Sequence, residues 1–105
     1  MSVVIEYTVK PNPGSDLKKL SSKMTHESAA LWRRHGGKVR LWAVTAGEVG
    51  DLVVSISFEN FAAYGATFDK LNADIEYQAW HAKRLKAGAA TWVRGNMLSE
   101  VLIGK

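Results

Sequence analysis

The chain has no cysteine and only two prolines among its 105 residues. The absence of cysteine excludes a disulfide framework, a thiolate metal site and a cysteine nucleophile. With so little proline, an apolar fraction of 47% is typical of a globular domain and excludes the disordered compositions. We therefore expect residues 1–105 to form one domain that buries roughly two thirds of its unfolded surface.

Long apolar runs are also lacking. A helix that spans a bilayer needs about 20 apolar residues, and Glu6, Arg40 and Arg94 interrupt the most hydrophobic stretches. The N-terminus has no basic region and no small-residue cleavage site, and it leads directly into a strand pattern, which predicts no signal peptide. Together with the lack of cysteine, these absences favour a cytoplasmic protein that has no membrane partner.

The charges nearly balance, with 14 Lys and Arg residues against 10 Asp and Glu, a net charge of +4. The basic residues are scattered over predicted helix surfaces, and the sequence has neither a Gly-aromatic RNA-binding signature nor helix-turn-helix spacing. We therefore predict no nucleic-acid partner, although a weakly basic surface can steer a small anionic molecule towards a cleft. Because His26, His35 and His81 lack metal-ligand spacing, we expect no metal and no cofactor.

Four segments have the period of two that is typical of strands. They are residues 2–9, 38–46, 52–58 and 91–103. A five-residue connection between the second and third segments suits a hairpin. The last strand is expected to bend or bulge at Gly95.

Two segments have the spacing of amphipathic helices. The first follows the N-cap Ser15 and ends at Gly36-Gly37, and the second follows the N-cap Asn60, breaks at Asp74 and continues to residue 87. The order strand, helix, strand, strand, helix, strand predicts an α+β fold of the ferredoxin-like βαββαβ type. Its four-stranded antiparallel sheet has the spatial order fourth, first, third, second.

The two helices can cover only one face of this sheet. The first strand presents an apolar face to them, whereas the other face of the sheet mixes tryptophan with polar groups. We expect this uncovered face to contain Glu6, Thr8, Arg40, Trp42, Val44, Val53, Ser55, Ser57, Trp92, Arg94, Asn96 and Leu98. Soluble monomers seldom expose so large a patch with tryptophan and valine. We therefore predict a two-fold homodimer in which two sheets face each other and enclose the polar groups.

The segment from Asp51 to Trp80 resembles NIPSNAP-like and antibiotic-biosynthesis-monooxygenase-like proteins. It has a strand, an aromatic-rich helix, the short break Ala73-Asp74-Ile75-Glu76 and a second helix. The resemblance implies a dimeric α/β barrel. Proteins of this kind include cofactor-independent oxygenases of polycyclic aromatics, haem-degrading oxygenases, polyketide cyclases and many without known activity, so the resemblance implies a pocket but not one reaction.

The haem-degrading relatives place an asparagine on the first strand, with a tryptophan and a haem-ligating histidine on or near the second helix. Here the strand position is Glu6 or Thr8. Trp80 and His81 are adjacent, which points them about 100° apart on a helix. Haem degradation is therefore not favoured.

Polar residues of the uncovered face are candidate catalytic groups. Arg94 is suited to hold a carboxylate or enolate, Asn96 to hydrogen-bond an oxyanion, and Glu6 to act as a base. Adjacent strands are expected to bring Glu6 and Arg94 within ion-pair reach. The alternative is a salt bridge in a dimer interface, with its hydrogen bonds satisfied.

Trp42 and Trp92 are candidate walls for a flat ligand, because aromatic walls bind aromatics with little loss of entropy. Ser55, Ser57 and Arg40 are expected to line the same ligand site. Equally, large aromatic side chains fill barrels and interfaces without binding anything.

The last helix offers another set of candidates. Tyr77, Trp80, His81 and Arg84 lie on one side of it and are expected to overhang the mouth of the barrel, with His81 as an acid or base. Tyr64 is a further candidate base. The alternative is a half-exposed helix surface or a partner contact. His26 is expected to face solvent, and His35 is expected to cap the first helix, where an imidazolium suits the helix dipole.

These residues predict a small pocket between sheet and helices and a small aromatic or anionic ligand. Oxygenation without a cofactor needs only a bound phenolate or enolate that itself reduces dioxygen, and cyclisation needs only a base and an oxyanion site. The sequence therefore favours a cofactor-independent monooxygenase or a polyketide cyclase that acts on an aromatic or polyketide-like substrate. The competing interpretation is a non-catalytic NIPSNAP-like binding module or a structural dimer.

Overall fold

The computed structural model describes the backbone of residues 2–87 and 90–101 and the side chains of residues 2–83 and 90–101. In chain order the elements are β1 (Val3–Pro11), α1 (Leu17–Lys23), a π-helical segment (Met24–Ser28), α2 (Ala29–Arg34), β2 (Lys38–Ala43), β3 (Leu52–Phe58), α3 (Phe61–Ala73), α4 (Ile75–Ala87) and β4 (Ala90–Ser99). The strands form one antiparallel sheet in the order β2-β3-β1-β4, which confirms the predicted topology. The fold is therefore α+β and ferredoxin-like.

The element ends differ in part from the predictions. β2 ends at Ala43, three residues earlier than predicted, because the chain turns there and Val44 N donates to Asp51 O across the hairpin connection. β4 ends at Ser99, and the predicted continuation to residue 103 lies outside the described residues from 102 onward. Asp16, rather than Ser15, caps α1, since its side chain accepts a hydrogen bond from Lys19 N at 3.1 Å.

The first helix is interrupted by the π-helical segment, where the sequence predicted a continuous α-helix. A π turn contains one more residue than an α turn, so it shifts the side of the helix on which each later side chain lies. Leu17, at the start of α1, is 55% exposed, whereas the consecutive residues Leu31 and Trp32 of α2 are both buried. The interruption thus rotates α2 so that two large side chains enter the core.

The core lies between the sheet and the helices. Sheet residues alternate in register, so one face of β1 and β3 supplies the strand side of this core. Its buried members are Ile5, Val54, Ile56 and Phe58 from the sheet and Leu31, Trp32 and Leu71 from the helices. The described helices include none that is long and apolar enough to cross a membrane.

An ion-pair network joins the end of α2 to the start of α4. His35 Nε2 lies 2.8 Å from Asp74 Oδ2, and Arg34 contacts Asp74 at 3.3 Å and Glu76 at 2.8 Å. The hydrogen bond with His35 is the largest of the effects that lower the pKa of Asp74, and the backbone N–H groups of Glu76 and Tyr77 and the charge of Arg34 act in the same direction. His35 therefore has a structural role at the helix end, as predicted.

Candidate functional site

The sequence-predicted site residues divide between the two faces of the sheet. Cross-strand partners lie on the same face, so the register assigns each strand residue to one side. On the face without helices lie Glu6, Arg40, Trp42, Ser55, Ser57, Arg94 and Asn96. On the helix side lie Tyr64, His81 and Trp92. The ten candidates therefore do not form one site.

On the open face, one polar row crosses all four strands. Arg40 pairs with Ser55, Ser55 with Glu6, and Glu6 with Asn96. The Trp42 indole Nε1 donates to Ser55 Oγ at 2.8 Å, so the tryptophan ring leans over this row. The open face thus combines hydrogen-bonding groups with an indole, as the sequence predicted.

The expected ion pair between Glu6 and Arg94 is not formed. The register places Arg94 opposite Thr8, while Asn96 is opposite Glu6. The ion pairs of the described residues instead involve Arg34, His35 and their acidic partners. Glu6 and Arg94 share a face but occupy diagonal positions, which lie farther apart than direct partners.

Trp92 does not lie on the open face, contrary to the prediction. The register passes from Thr8–Arg94 to Val9–Trp92, which leaves Val93 as an extra residue in a β-bulge. The extra residue moves Trp92 to the helix side, where its ring meets Tyr7 edge to face at 4.7 Å. Gly95, where the bulge was predicted, is in register. It permits close approach instead, since a Cβ there would lie 3.2 Å from the Tyr7 ring.

Between the sheet and the helices lies a cavity of about 380 Å³, which we call the main cavity. Its walls come from β1, β3, β4, the first helical region, α3 and α4. It is lined by Tyr7, Val9, Leu20, Lys23, Met24, Glu27, Ser28, Trp32, Val54, Phe68, Tyr77, Trp80, His81, Lys83, Ala90 and Trp92. The predicted location between sheet and helices is confirmed, with a largely apolar and aromatic lining.

The aromatic lining is organised in two groups. Tyr7 and Trp92 form one wall on the sheet side. On α4, Tyr77 stacks on His81 with ring centroids 6.2 Å apart and lies 5.8 Å from Trp80. These three α4 side chains are half-buried and line the main cavity, whereas the side chain of Arg84 lies outside the described residues. Their predicted overhang at the mouth of a barrel stays a prediction. A flat molecule is the shape that such walls accommodate best.

Polar groups concentrate on the helical side of the main cavity. Lys23, Glu27 and Ser28 come from the end of α1 and the π segment, and His81 and Lys83 from α4. Glu27, Ser28 and His81 are half-buried, whereas the two lysines are exposed. An acid–base pair of candidates, the Glu27 carboxylate and the His81 imidazole, thus adjoins an apolar interior.

Tyr64 does not line the main cavity. Its ring packs in the core, 5.5 Å from Phe58 and 5.7 Å from Phe68. His26 is exposed, as expected. Within the described ranges no three histidine or acidic side chains gather in a way that could hold a metal ion.

Several lining residues were missed from the sequence. Tyr7 was assigned only to the apolar face of the first strand and Lys23 to the surface of the first helix, and neither Trp32 nor Glu27 was given a role. Lys23 and Glu27 are four positions apart and share a side of a regular α-helix as well. The π segment shifts the facing of the residues that follow it, so the regular spacing does not show which side of the first helix meets the cavity. A helical wheel drawn for a regular α-helix does not show this shift.

Comparison with known proteins supports the fold. No protein-family model and no curated protein matches the sequence. Similar solved structures include an uncharacterised NIPSNAP-like domain protein from Burkholderia xenovorans, with a TM-score of 0.74, 15% identity, and coverage of 99% of this chain and 89% of that one. A NIPSNAP family protein from Agrobacterium tumefaciens has a TM-score of 0.73 and 15% identity, with 95% and 86% covered.

SnoaB, a cofactor-independent oxygenase from Streptomyces nogalater, has a TM-score of 0.70 and 14% identity, with 97% of this chain and 95% of that one covered. Identities this low show the fold alone. They confirm that the chain resembles NIPSNAP-like proteins in fold.

Proposed function

We propose that this protein binds a flat, largely apolar small molecule in the main cavity. The observation that carries the proposal is the cavity itself, about 380 Å³ between the Tyr7–Trp92 wall and the α4 aromatics. Ligand sites commonly have volumes of about 300–1,000 Å³, with apolar walls and a few polar groups that set orientation. The aromatic lining supports an aromatic ligand, and the chain shares its fold with SnoaB, a cofactor-independent oxygenase.

The reaction we propose is oxygenation of an aromatic or polyketide-like substrate without a cofactor. His81 removes a proton from a carbon or hydroxyl group of the substrate, which leaves a carbanion or phenolate. That anion transfers one electron to dioxygen, and the two radicals combine as a peroxide. In an anthrone, loss of water from the peroxide leaves a carbonyl group, so one oxygen atom enters the product and the other leaves as water.

The test uses 1,8-dihydroxyanthrone and ¹⁸O₂, with mass spectrometry of the quinone. Buffer without protein measures autoxidation. We expect the protein to accelerate formation of singly labelled quinone, and His81→Gln to lower that rate on the order of a hundredfold, which is typical for loss of a general base. His26→Gln is the matched control, because His26 is exposed and lies outside the main cavity.

The alternative function is binding without catalysis. It predicts that 1,8-dihydroxyanthrone quenches tryptophan fluorescence and raises the melting temperature, while the quinone forms no faster than in buffer. A failure to bind would contradict the proposed function altogether.

We also propose that the open face associates with a second copy of the chain. Trp42 is 50% exposed and Leu98 is 47% exposed on that face, beside the polar row. The catalytic roles predicted for Glu6, Arg94 and Asn96 remain predictions. Arg94→Ala separates them from an interface role, because a catalytic Arg94 would alter the anthrone reaction even in a variant that still forms the dimer.

A further inference from the structure

A second, shallower cavity adjoins the main one on the outside of the helices. This outer groove, of about 330 Å³, lies between the π segment with α2 on one side and α4 on the other. Its lining residues are His26, Glu27, Ala30, Leu31, Arg34, Glu76, Ala79, Trp80 and Lys83. Glu27, Trp80 and Lys83 also line the main cavity. These three side chains therefore mark the boundary between an apolar interior and open water.

The basic side chains at the two ends of this boundary differ in whether they form ion pairs. At one end Arg34 is paired with Asp74 and Glu76. At the cavity mouth, Lys23 and Lys83 form no ion pair with any acidic group of the described residues. Both lysines are exposed and both line the main cavity, where Glu27 supplies the carboxylate. The mouth therefore has two ammonium groups against one carboxylate.

An anionic group is more stable at this mouth than deeper in the cavity. Burying an ionised group without compensation is costly, whereas a charged group that keeps contact with water and with ammonium groups avoids most of that cost. Lysine also reaches over apolar surface on its methylene stem and keeps its charge in water. The geometry thus suits a molecule with apolar rings at one end and an anionic group at the other.

We propose that the ligand is a flat aromatic acid whose rings lie among the tryptophans of the main cavity and whose carboxylate lies at the mouth between Lys23 and Lys83. This inference rests on the proposed function and adds the charge of the ligand to it. Glu27 then acts as a specificity residue, because its carboxylate repels a second negative charge and accepts a hydrogen bond from a hydroxyl group of the ligand.

Two fluorescent probes of similar ring shape test the proposal, 9-anthracenecarboxylate and the neutral 9-anthracenemethanol. We expect the carboxylate to bind about fivefold more tightly than the alcohol in equilibrium titrations, a difference typical of exposed charge pairs. Added salt should weaken carboxylate binding and leave alcohol binding nearly unchanged. In the Lys23→Met/Lys83→Met variant, the carboxylate and the alcohol should bind with about equal affinity.

Glu27→Gln should change the affinity for the carboxylate in the opposite direction, because it removes a negative charge from the mouth. We expect it to tighten carboxylate binding roughly twofold to fivefold and to leave alcohol binding unchanged or weaker. Lys18→Met is the matched control, since Lys18 is an exposed lysine of α1 that does not line either cavity. Thermal unfolding verifies that each variant is folded before its affinities are compared.

The outcomes separate this inference from the proposed function. A further variant, Trp92→Ala, removes one aromatic wall of the main cavity. If both probes bind the original protein equally and Trp92→Ala abolishes their binding, the proposal of an anionic ligand is overturned and the proposed aromatic site stands. Absence of binding for both probes would overturn the two proposals together. A carboxylate preference that Lys18→Met reduces as much as the double variant would show a general surface charge effect, which also overturns the proposal.

Discussion

At the scale of single residues, two glycines differ in how much space surrounds them. A Cβ at Gly37 would lie 2.8 Å from Ile56 Cγ2 and 3.3 Å from the carbonyl oxygen of Trp32. The second neighbour is backbone and cannot rotate away, so Gly37 holds the start of β2 against the core. Gly65, within α3, has no atom within 4 Å of the position that a Cβ would take.

We predict that Gly37→Ala and Gly65→Ala shift stability in opposite directions. Gly37→Ala should lower the free energy of unfolding by about 1–3 kcal/mol, because overpacking forces the core to move. Gly65→Ala should raise it by about 0.5–1 kcal/mol, since alanine restricts the unfolded chain and favours a helix. Urea denaturation of both variants measures the two effects. A loss of stability in Gly65→Ala would show that α3 packs against something at that position.

At the scale of elements, α4 is joined to α2 by polar contacts at its start and forms one wall of the main cavity. Among its described side chains, from 75 to 83, none is fully buried, and only Tyr77, Trp80 and His81 are half-buried. Its start is joined to α2 through Asp74, whose side chain is only 11% exposed. The position of the cavity wall therefore depends on these polar contacts together with the packing of Tyr77 and Trp80 against the core.

We predict that Asp74→Asn lowers the melting temperature at neutral pH. The pKa of Asp74 is lower in the folded protein than in the unfolded chain, chiefly because of the hydrogen bond with His35. Its carboxylate therefore contributes stability above the unfolded pKa of about 3.9, and this contribution is lost as the pH falls through the folded pKa. The melting temperatures of the two proteins should converge below about pH 4.

Differential scanning calorimetry between neutral and acidic pH measures this convergence. Asp69→Asn, at an exposed position of α3, is the control and should change little. A constant difference between Asp74→Asn and the original protein at every pH would attribute the effect to packing instead of charge.

At the scale of the whole molecule, the chain forms a flat plate, and one face of its sheet is not covered by helices. Its extents are 49 × 37 × 18 Å, and its radius of gyration is 14.6 Å, against about 13 Å for a compact domain of this length. β4 is exposed along residues 91–99, on both of its faces. A second copy placed against the open face would cover Trp42 and Leu98 without altering the helix side.

We predict a dimer in light scattering at micromolar concentration and a monomer for Leu98→Asp. A carboxylate at this position would have to leave water when two sheets meet, and burying an unpaired charge is costly. Ile75→Asp is the matched control, because Ile75 is 84% exposed on α4, away from the sheet. A monomeric original protein would contradict the predicted association.

The sequence by itself determined the order of elements, the antiparallel sheet and the residues of its open face near β1, β2 and β3. Those features follow from local periodicity, and a period of two assigns a side chain to a face as long as the strand is regular. The candidates Glu6, Arg40 and Ser55 therefore lie where the pattern placed them.

Only the tertiary structure decided the face of Trp92 and the location of the cavity. A bulge at Val93 adds one residue to β4, and one residue reverses the face of what lies beyond it. The π segment likewise changes the facing of the first helix. Neither interruption has a signal in hydrophobic spacing, because each depends on how the strand or helix meets its neighbours. The residues that line the main cavity come from distant segments, and only folding brings them together.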